Sequence, residues 1–178
     1  GMFHVVSVAT TTGYATVDYL AWPVFAPVFM LLLSGVATSA GSTGCGIKMV
    51  RMLILLKQAR REMNRLVHPR AVQPVRLGDA VVDNPMIFSV LAYMLVYGAT
   101  VIVLSMVLLL TDLDPLTAFS AVLASVHCMG PGLGAVGPSS NYTVLTDFQI
   151  WVCTLGMLLG RLEILSFMAL LSPAFWRR

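Results

Sequence analysis

The sequence predicts an all-α integral membrane protein, and three observations support this fold class. Hydrophobic residues make up 58% of the chain and charged residues only 11%, which is about half the charged fraction of a soluble domain. Two segments, 19–47 and 87–110, contain no charged residue, and each is long enough to cross a hydrocarbon layer that requires about 20 helical residues. A third segment, 148–176, is interrupted only by Arg161 and Glu163. We therefore expect three membrane-crossing segments.

Positive charge is concentrated beside these segments. Eight of the eleven lysines and arginines lie in 48–76, and Arg177 and Arg178 follow the third segment. By the positive-inside rule, these parts face the cytoplasm and the connection 111–147 faces outward. The net charge of +3 thus indicates orientation and not nucleic-acid binding.

The first polar connection is predicted to contain an amphipathic helix over 53–66, where apolar residues recur at helical spacing among lysines and arginines. His68-Pro69 and Gln73-Pro74 then give a short linker, because proline and the residue before it resist helix. Asn84-Pro85 has the form of a helix cap followed by proline, so the second crossing segment is expected to begin there.

A short helix is predicted to begin at Asp114-Pro115 and to end near Val126, because the glycine-proline stretch 130–134 cannot remain helical. About thirteen residues span only about 20 Å, which is too short to cross the bilayer. The helix must therefore enter and leave on the same face. Backbone that loses helical form at this depth is tolerated only where protein or a water-filled cavity satisfies its polar groups, so we expect a cavity beside it.

The reactive residues do not indicate an enzyme. The cysteines and histidines of the chain are Cys45, Cys128, Cys153, His4, His68 and His127. No two cysteines have CxxC spacing, so the cysteines are expected to be reduced and packed. No two histidines have the spacing of metal ligands. The stretch 40–48, AGSTGCGIK, is not a phosphate-binding loop, because Ile47 separates the last glycine from the lysine and Met49 follows. We expect no catalytic residue and no bound cofactor.

Two parts of the chain have the same order of structural features. Residues 5–13 and 122–130 each combine a short apolar end with a glycine turn, and a long apolar segment follows each. The second copy is 117 residues after the first, and the two agree poorly in sequence. Their common order indicates an internal repeat of the kind found in transporters.

Four motifs in a fixed order carry a resemblance to a known family: TTTGYAT at 10–16, AGSTGCGIK at 40–48, MGPGLG at 129–134 and GRLEI at 160–164. Together they resemble the C-terminal part of the TrkH-like subunits of the Trk/Ktr superfamily of potassium transporters. In that family, one chain carries four repeats of span, pore helix and span around one pore. This chain resembles the end of the third repeat and all of the fourth.

The resemblance implies a division of the chain. Residues 1–18 would be the end of the third-repeat pore helix and filter, 19–66 an inner helix broken by a glycine-rich gate loop at 35–46, 67–83 a cytoplasmic linker, and 84–178 the fourth repeat. Within the fourth repeat the implied elements are an outer span at 85–111, a pore helix at 114–126, a filter at 127–134 and an inner span at 143–175.

The resemblance also implies potassium transport through a filter lined by backbone carbonyl oxygens, which replace the water shell of the ion. The implied filter residues are Thr10, Thr11, Thr12, Gly13, Tyr14, His127, Cys128, Met129 and Gly130, with potassium bound by the carbonyls of Thr11, Thr12, Gly13, Cys128, Met129 and Gly130. Two alternatives stay open: an exposed threonine-rich loop at 10–16, and a hydrogen-bonded packing role for the His127 side chain.

Two further elements of the pore follow from the resemblance. The gate loop would contain Gly41, Ser42, Thr43, Gly44, Cys45 and Gly46, and Arg161 would project into the pore beneath the filter as a barrier to cations. The alternatives are close helix packing by the small residues of the loop, and an ion pair of Arg161 with a carboxylate elsewhere.

The implied protein is a multi-pass subunit of the bacterial inner membrane with no cofactor of its own and no nucleic-acid partner. The implied transported ion is potassium, with sodium and protons as further candidates. The implied partners are membrane lipid, a second copy of the subunit and a cytosolic nucleotide-binding ring of the RCK fold. Two other functions are considered. One is a poorly selective sodium and potassium version, because His127-Cys128 replaces asparagines common in the family. The other is a non-conducting regulatory or assembly fragment.

Overall fold

The structure is a computed structural model that describes residues 1–42, 44–70, 73–162, 164, 166–167 and 176. This part of the chain is mostly helical, as expected. The helices and strands are α1 (Met2–Ala9), α2 (Phe25–Val36), α3 (Met49–Val67), β1 (Arg76–Leu77), β2 (Ala80–Val81), α4 (Asn84–Leu109), α5 (Pro115–Val126) and α6 (Asp147–Arg161). Short 3-10 turns lie at Tyr19–Ala21, Gly134–Val136 and Tyr142–Val144.

Helix α4 is the one helix of the described residues that is both long and apolar enough to cross a membrane. Its 26 residues span about 39 Å. Many of its buried side chains recur every three or four residues and form one stripe, which includes Tyr93, Tyr97, Val101, Leu104 and Leu108. That stripe packs against α5 and α6, while apolar residues elsewhere on α4, such as Leu95 and Ile102, are exposed.

Helix α5 lies at the centre of the structure. Asp114 caps it by accepting a hydrogen bond from the Thr117 backbone N–H at 3.2 Å, and the helix ends at Val126, where a short helix was predicted to end. Every residue from Ser120 to Val126 is buried. Helices α4 and α6 pack on either side, and Gly160 of α6 lies so close to the Val126 carbonyl oxygen that a side chain there would overlap it.

The first apolar segment does not form one continuous helix. Helix α2 has 12 residues, about 18 Å, and residues 37–48, which we call the break, separate it from α3. Gly41, Gly44 and Gly46 lower the cost of leaving helical form here. Helix α6 ends at Arg161, and most of the later part of the third predicted segment, including Glu163 and the implied end at 175, lies outside the described residues.

The polar connection after the break contains more structure than predicted. Helix α3 begins four residues earlier than the predicted amphipathic helix, and the linker contains an antiparallel hairpin in which Arg76 pairs with Val81. Gly78 in its turn has a φ of 62°, which glycine adopts readily. Val75 and Val82 beside the hairpin pack with Ile54 of α3 and Ile87 of α4 in a small second core.

Candidate functional site

Two glycine turns follow the same backbone path. We call Thr10–Tyr14 the first turn and His127–Pro131 the second turn; they follow the ends of α1 and α5. The φ angle of Thr11 is 56° and that of Cys128 is 53°, while Gly13 and Gly130 have φ angles of 78° and 99°. Left-handed φ values are costly for residues with a side chain, so two unrelated loops would not share this pattern without a common requirement.

The backbone hydrogen bonds of the two turns also correspond. In the first turn, the N–H groups of Thr10, Thr11 and Thr12 donate to the carbonyls of Val6, Val8 and Ser7 at 2.9, 3.0 and 2.8 Å. In the second, those of His127, Cys128 and Met129 donate to Leu123, Ser125 and Ala124 at 2.9, 3.0 and 2.9 Å. Each donor and acceptor of the second set is 117 residues after its counterpart.

The two turns are in direct contact. A Cβ atom added to Gly13 would overlap the Met129 carbonyl oxygen and would lie 3.1 Å from Cδ of Pro131. Gly13 therefore allows the backbones of the two turns to approach closely. The structure brings together the filter residues that the resemblance implies at 10–14 and 127–130.

The first turn is held mainly by hydroxyl groups of its own segment. The Ser7 hydroxyl donates to the Tyr14 carbonyl at 2.7 Å, and the Thr10 hydroxyl donates to the Val6 carbonyl at 2.7 Å. The hydroxyls of Thr10 and Thr12 lie 2.9 Å apart. Tyr14 is 75% exposed, so its ring adds little to the stability of the turn.

The second turn is held by side chains from other elements. His127 is 3% exposed, and its Nδ1 lies 2.7 Å from the Ser34 hydroxyl of α2 while its Nε2 lies 2.5 Å from the Tyr97 hydroxyl of α4. The Tyr97 ring lies nearly parallel to the imidazole, with the ring centroids 6.2 Å apart. Both ring nitrogens are occupied by protein hydroxyls, which agrees with the packing interpretation of the His127 side chain.

One implied potassium ligand already has a protein partner. The Tyr142 hydroxyl donates to the Gly130 carbonyl at 2.8 Å. A carbonyl oxygen has a second lone pair, so this bond restricts the direction from which Gly130 can bind an ion without removing it as a ligand.

Two hydroxyls of α5 fix the chain beyond the second turn. The Ser120 hydroxyl accepts from the Leu133 N–H at 2.9 Å and donates to the Leu133 carbonyl at 3.1 Å. The Thr117 hydroxyl accepts from the Ala135 N–H at 3.2 Å. The sequence motifs gave no indication of these supporting residues, nor of Ser34, Tyr97 and Tyr142. The available signal was polar residues within apolar helices, which must find partners.

The break folds back onto the end of α2. The N–H of Ile47 donates to the Gly35 carbonyl at 2.8 Å, and that of Met49 donates to the Thr38 carbonyl at 2.9 Å. The Tyr93 hydroxyl donates to the Gly46 carbonyl at 3.0 Å. These three backbone bonds satisfy, within the protein, groups that the unwinding of the helix leaves free, as an apolar environment requires.

A cavity of about 270 Å³ brings the break and Arg161 together. Its lining includes Ser42, Gly44, Cys45, Gly46, Lys48, Tyr93, Gly160 and Arg161. The Arg161 side chain also interacts with the Cys45 side chain. Of the other implied gate residues, Gly41 has open space around it, and Thr43 lies outside the described residues.

The break also touches the second turn. Sγ of Cys45 lies 2.8 Å from Sγ of Cys128, and both cysteines are free thiols. The second turn, the break and Arg161 therefore form one connected site.

Comparison with known proteins gives consistent matches over almost the whole chain. The TrkH family model, described as a cation transport protein, matches residues 1–178. The Trk system potassium uptake protein TrkH of Vibrio parahaemolyticus is 40% identical over 99% of this chain, and that of Escherichia coli K12 is 39% identical over 98%. In each case the chain covers 36% of the relative's length.

The fold comparison agrees. The crystal structure of the potassium transporter TrkH from Vibrio parahaemolyticus matches with a TM-score of 0.91 and 40% identity, over 99% of this chain and 37% of that one. These relatives are named as potassium uptake proteins and a potassium transporter, and not as enzymes, in accord with the expectation from the sequence. The chain belongs to the TrkH family of cation transport proteins.

Proposed function

We propose that this chain forms part of the ion pathway of a potassium uptake subunit, and the observation that carries the proposal is the contact between the two glycine turns. A potassium ion entering a narrow pore must exchange water for protein oxygens. Two turns with matching backbone paths that touch at Gly13 and Met129 can present carbonyl groups to one position. Relatives 39–40% identical are named potassium uptake proteins.

Six carbonyls are proposed to bind the ion from two sides. Thr11, Thr12 and Gly13 contribute from the first turn, and Cys128 and Met129 contribute from the second. Gly130 contributes through its remaining lone pair, because Tyr142 already donates to its oxygen. Backbone ligands depend on main-chain geometry and not on side-chain identity, so threonine in one turn and cysteine and methionine in the other can serve the same purpose.

The break and Arg161 are proposed to form the gate. Arg161 is exposed within a cavity that it shares with Gly44, Cys45 and Gly46. A fixed positive charge repels a cation in a medium of low dielectric constant, so Arg161 would slow passage while the break occupies the cavity. Movement of the break toward α3 would open the route.

The remaining parts of the proposal concern the surroundings of the subunit. We place the protein in the bacterial inner membrane as a homodimer of the complete subunit, with a cytosolic RCK-type ring and anionic lipid as partners. Four cationic residues, Lys57, Arg60, Arg61 and Arg76, line a cavity of about 260 Å³ beside α3 and β1. Such a cluster suits an anionic partner at the cytoplasmic face.

A less selective sodium and potassium transporter is the second candidate function. The observation that favours it is the Tyr142 hydrogen bond to the Gly130 carbonyl, which occupies one oxygen on the side of the second turn. Fewer or weaker carbonyl ligands would reduce the preference for potassium over sodium.

Uptake measurements distinguish these functions. The natural gene is expressed in a bacterium that lacks its own potassium uptake systems, and entry of potassium, rubidium and sodium is followed separately. The first proposal expects rescue of growth at low potassium, with rubidium entering and sodium largely excluded. Equal sodium entry supports the second candidate. Absence of uptake of every ion, with the protein present in the membrane, contradicts both and supports a regulatory role.

A further inference from the structure

Two free cysteines meet where the break contacts the second turn. Cys45 and Cys128 are 83 residues apart in sequence, yet their sulfur atoms are separated by 2.8 Å. Cys45 is 3% exposed, while Cys128 is partly exposed. The Cys128 thiol also donates to the Met157 carbonyl of α6 at 3.7 Å, which holds its side chain between the two elements.

We propose that Cys45 and Cys128 form a reversible disulfide that fastens the break to the second turn. A disulfide has an S–S length of about 2.05 Å, so the two sulfurs need to approach by about 0.8 Å. Gly44 and Gly46 flank Cys45, and glycine allows the small backbone adjustment that this approach requires. The bond itself depends on no assumption about transport; its effect on ion flow rests on the function proposed above.

The chemistry balances with a peroxide as oxidant. The partly exposed Cys128 sulfur attacks one peroxide oxygen, the O–O bond breaks, and Cys128 becomes a sulfenic acid as one water leaves. The Cys45 thiol then attacks that sulfur, the S–O bond breaks and a second water leaves. Two thiols have lost two electrons and two protons to the peroxide, which is reduced to two waters. A small dithiol reverses the reaction by thiol–disulfide exchange.

The bond would act on the gate directly. The break lies in the cavity with Arg161, and a covalent link to the second turn prevents it from moving away. Oxidation would therefore hold the gate closed, and reduction would release it. The third cysteine, Cys153, is buried in α6 at 3% exposure and provides a matched control.

The test uses the protein expressed from its natural gene, purified and reconstituted in vesicles. The reduced protein is treated with hydrogen peroxide, and free thiols and cross-linked peptides are measured by mass spectrometry. We expect a Cys45–Cys128 peptide pair in the wild type and in Cys153→Ser, and none in Cys45→Ser or Cys128→Ser. A folded wild-type protein in which Cys45 and Cys128 both remain free thiols, or in which either of them is linked to Cys153 instead, overturns the proposal.

Rubidium flux is measured in the same vesicles. Oxidation is expected to lower flux at least tenfold in the wild type and in Cys153→Ser, with recovery after dithiothreitol, and to leave Cys45→Ser and Cys128→Ser at their own starting rates. A complete cross-link with unchanged flux overturns the gating effect alone. No flux in the fully reduced wild type contradicts the proposed function instead, while the cross-link stays measurable.

Discussion

The first and second turns have the same backbone path but different supports. Hydroxyls of Ser7 and Thr10 hold the first turn from within its own segment, whereas Ser34, Tyr97 and Tyr142 hold the second turn from three other parts of the chain. The backbone path of each turn is therefore set by a helix end followed by a glycine with a left-handed φ, while tertiary contacts stabilise the second turn. Substitutions in the two turns should therefore differ in their effects.

The largest effect is expected for Gly13→Ala, where the two turns meet. The added methyl group overlaps the Met129 carbonyl oxygen, and the φ of 78° is unfavourable for alanine. We expect rubidium uptake to fall about 100-fold, equivalent to about 3 kcal/mol. The matched control is Gly98→Ala in α4, where an added Cβ has no neighbour within 4 Å. Equal uptake by the two variants would mean that the contact is not needed.

A large effect is expected for His127→Ala, which removes the support of the second turn. The buried Tyr97 hydroxyl would lose its partner, at a cost of about 1–3 kcal/mol, whereas the Ser34 hydroxyl would keep its hydrogen bond to the Leu31 carbonyl. We expect the melting temperature to fall by about 5 °C or more and sodium uptake to rise relative to potassium. His68→Ala, at an exposed position, is the control and should change neither property. An unchanged melting temperature of His127→Ala would contradict the proposal that the His127 side chain stabilises the second turn.

A smaller effect is expected for Gly130→Ala, the counterpart of Gly13→Ala. Its φ is 99°, but an added Cβ has no neighbour within 4 Å. Backbone strain alone costs about 1–2 kcal/mol, so uptake should fall about tenfold. A greater loss of uptake in Gly130→Ala than in Gly13→Ala would contradict the importance of the contact at Gly13.

The smallest effect is expected for Thr10→Val, which removes a local support of the first turn and keeps the side-chain shape. The lost hydrogen bond to Val6 is exposed and worth about 0.5 kcal/mol. We expect a reduction in uptake of about twofold and a melting temperature within about 1 °C of the wild type. A loss of stability as large as that of His127→Ala would show that the two turns are supported equally.

The helical class and the end of α5 could be predicted from the sequence, because both depend on local properties. Apolar composition forces a membrane fold, and the glycine-proline stretch after Val126 ends a helix wherever it occurs. The supports of the second turn could not be predicted in this way. Ser34 and Tyr97 are distant from His127 in sequence, and their hydroxyls reach it only after α2 and α4 have packed against α5.

Two other features were also beyond local reasoning. The hairpin at 76–81 has strands of two residues, too short for an alternating pattern to appear. The contact between Cys45 and Cys128 depends on how the break folds back onto α2. The glycine content indicated that the helix would unwind at the break, but it did not indicate which neighbouring element the unwound segment would contact.

Locating a bound ion would show whether the two turns line one ion pathway. Crystals of the protein expressed from its natural gene, grown with thallium in place of potassium, would show the ion by anomalous scattering. We expect a peak between the first and second turns, with backbone oxygens of both turns as ligands. Thallium bound elsewhere, with the two turns touching and no peak between them, would contradict it.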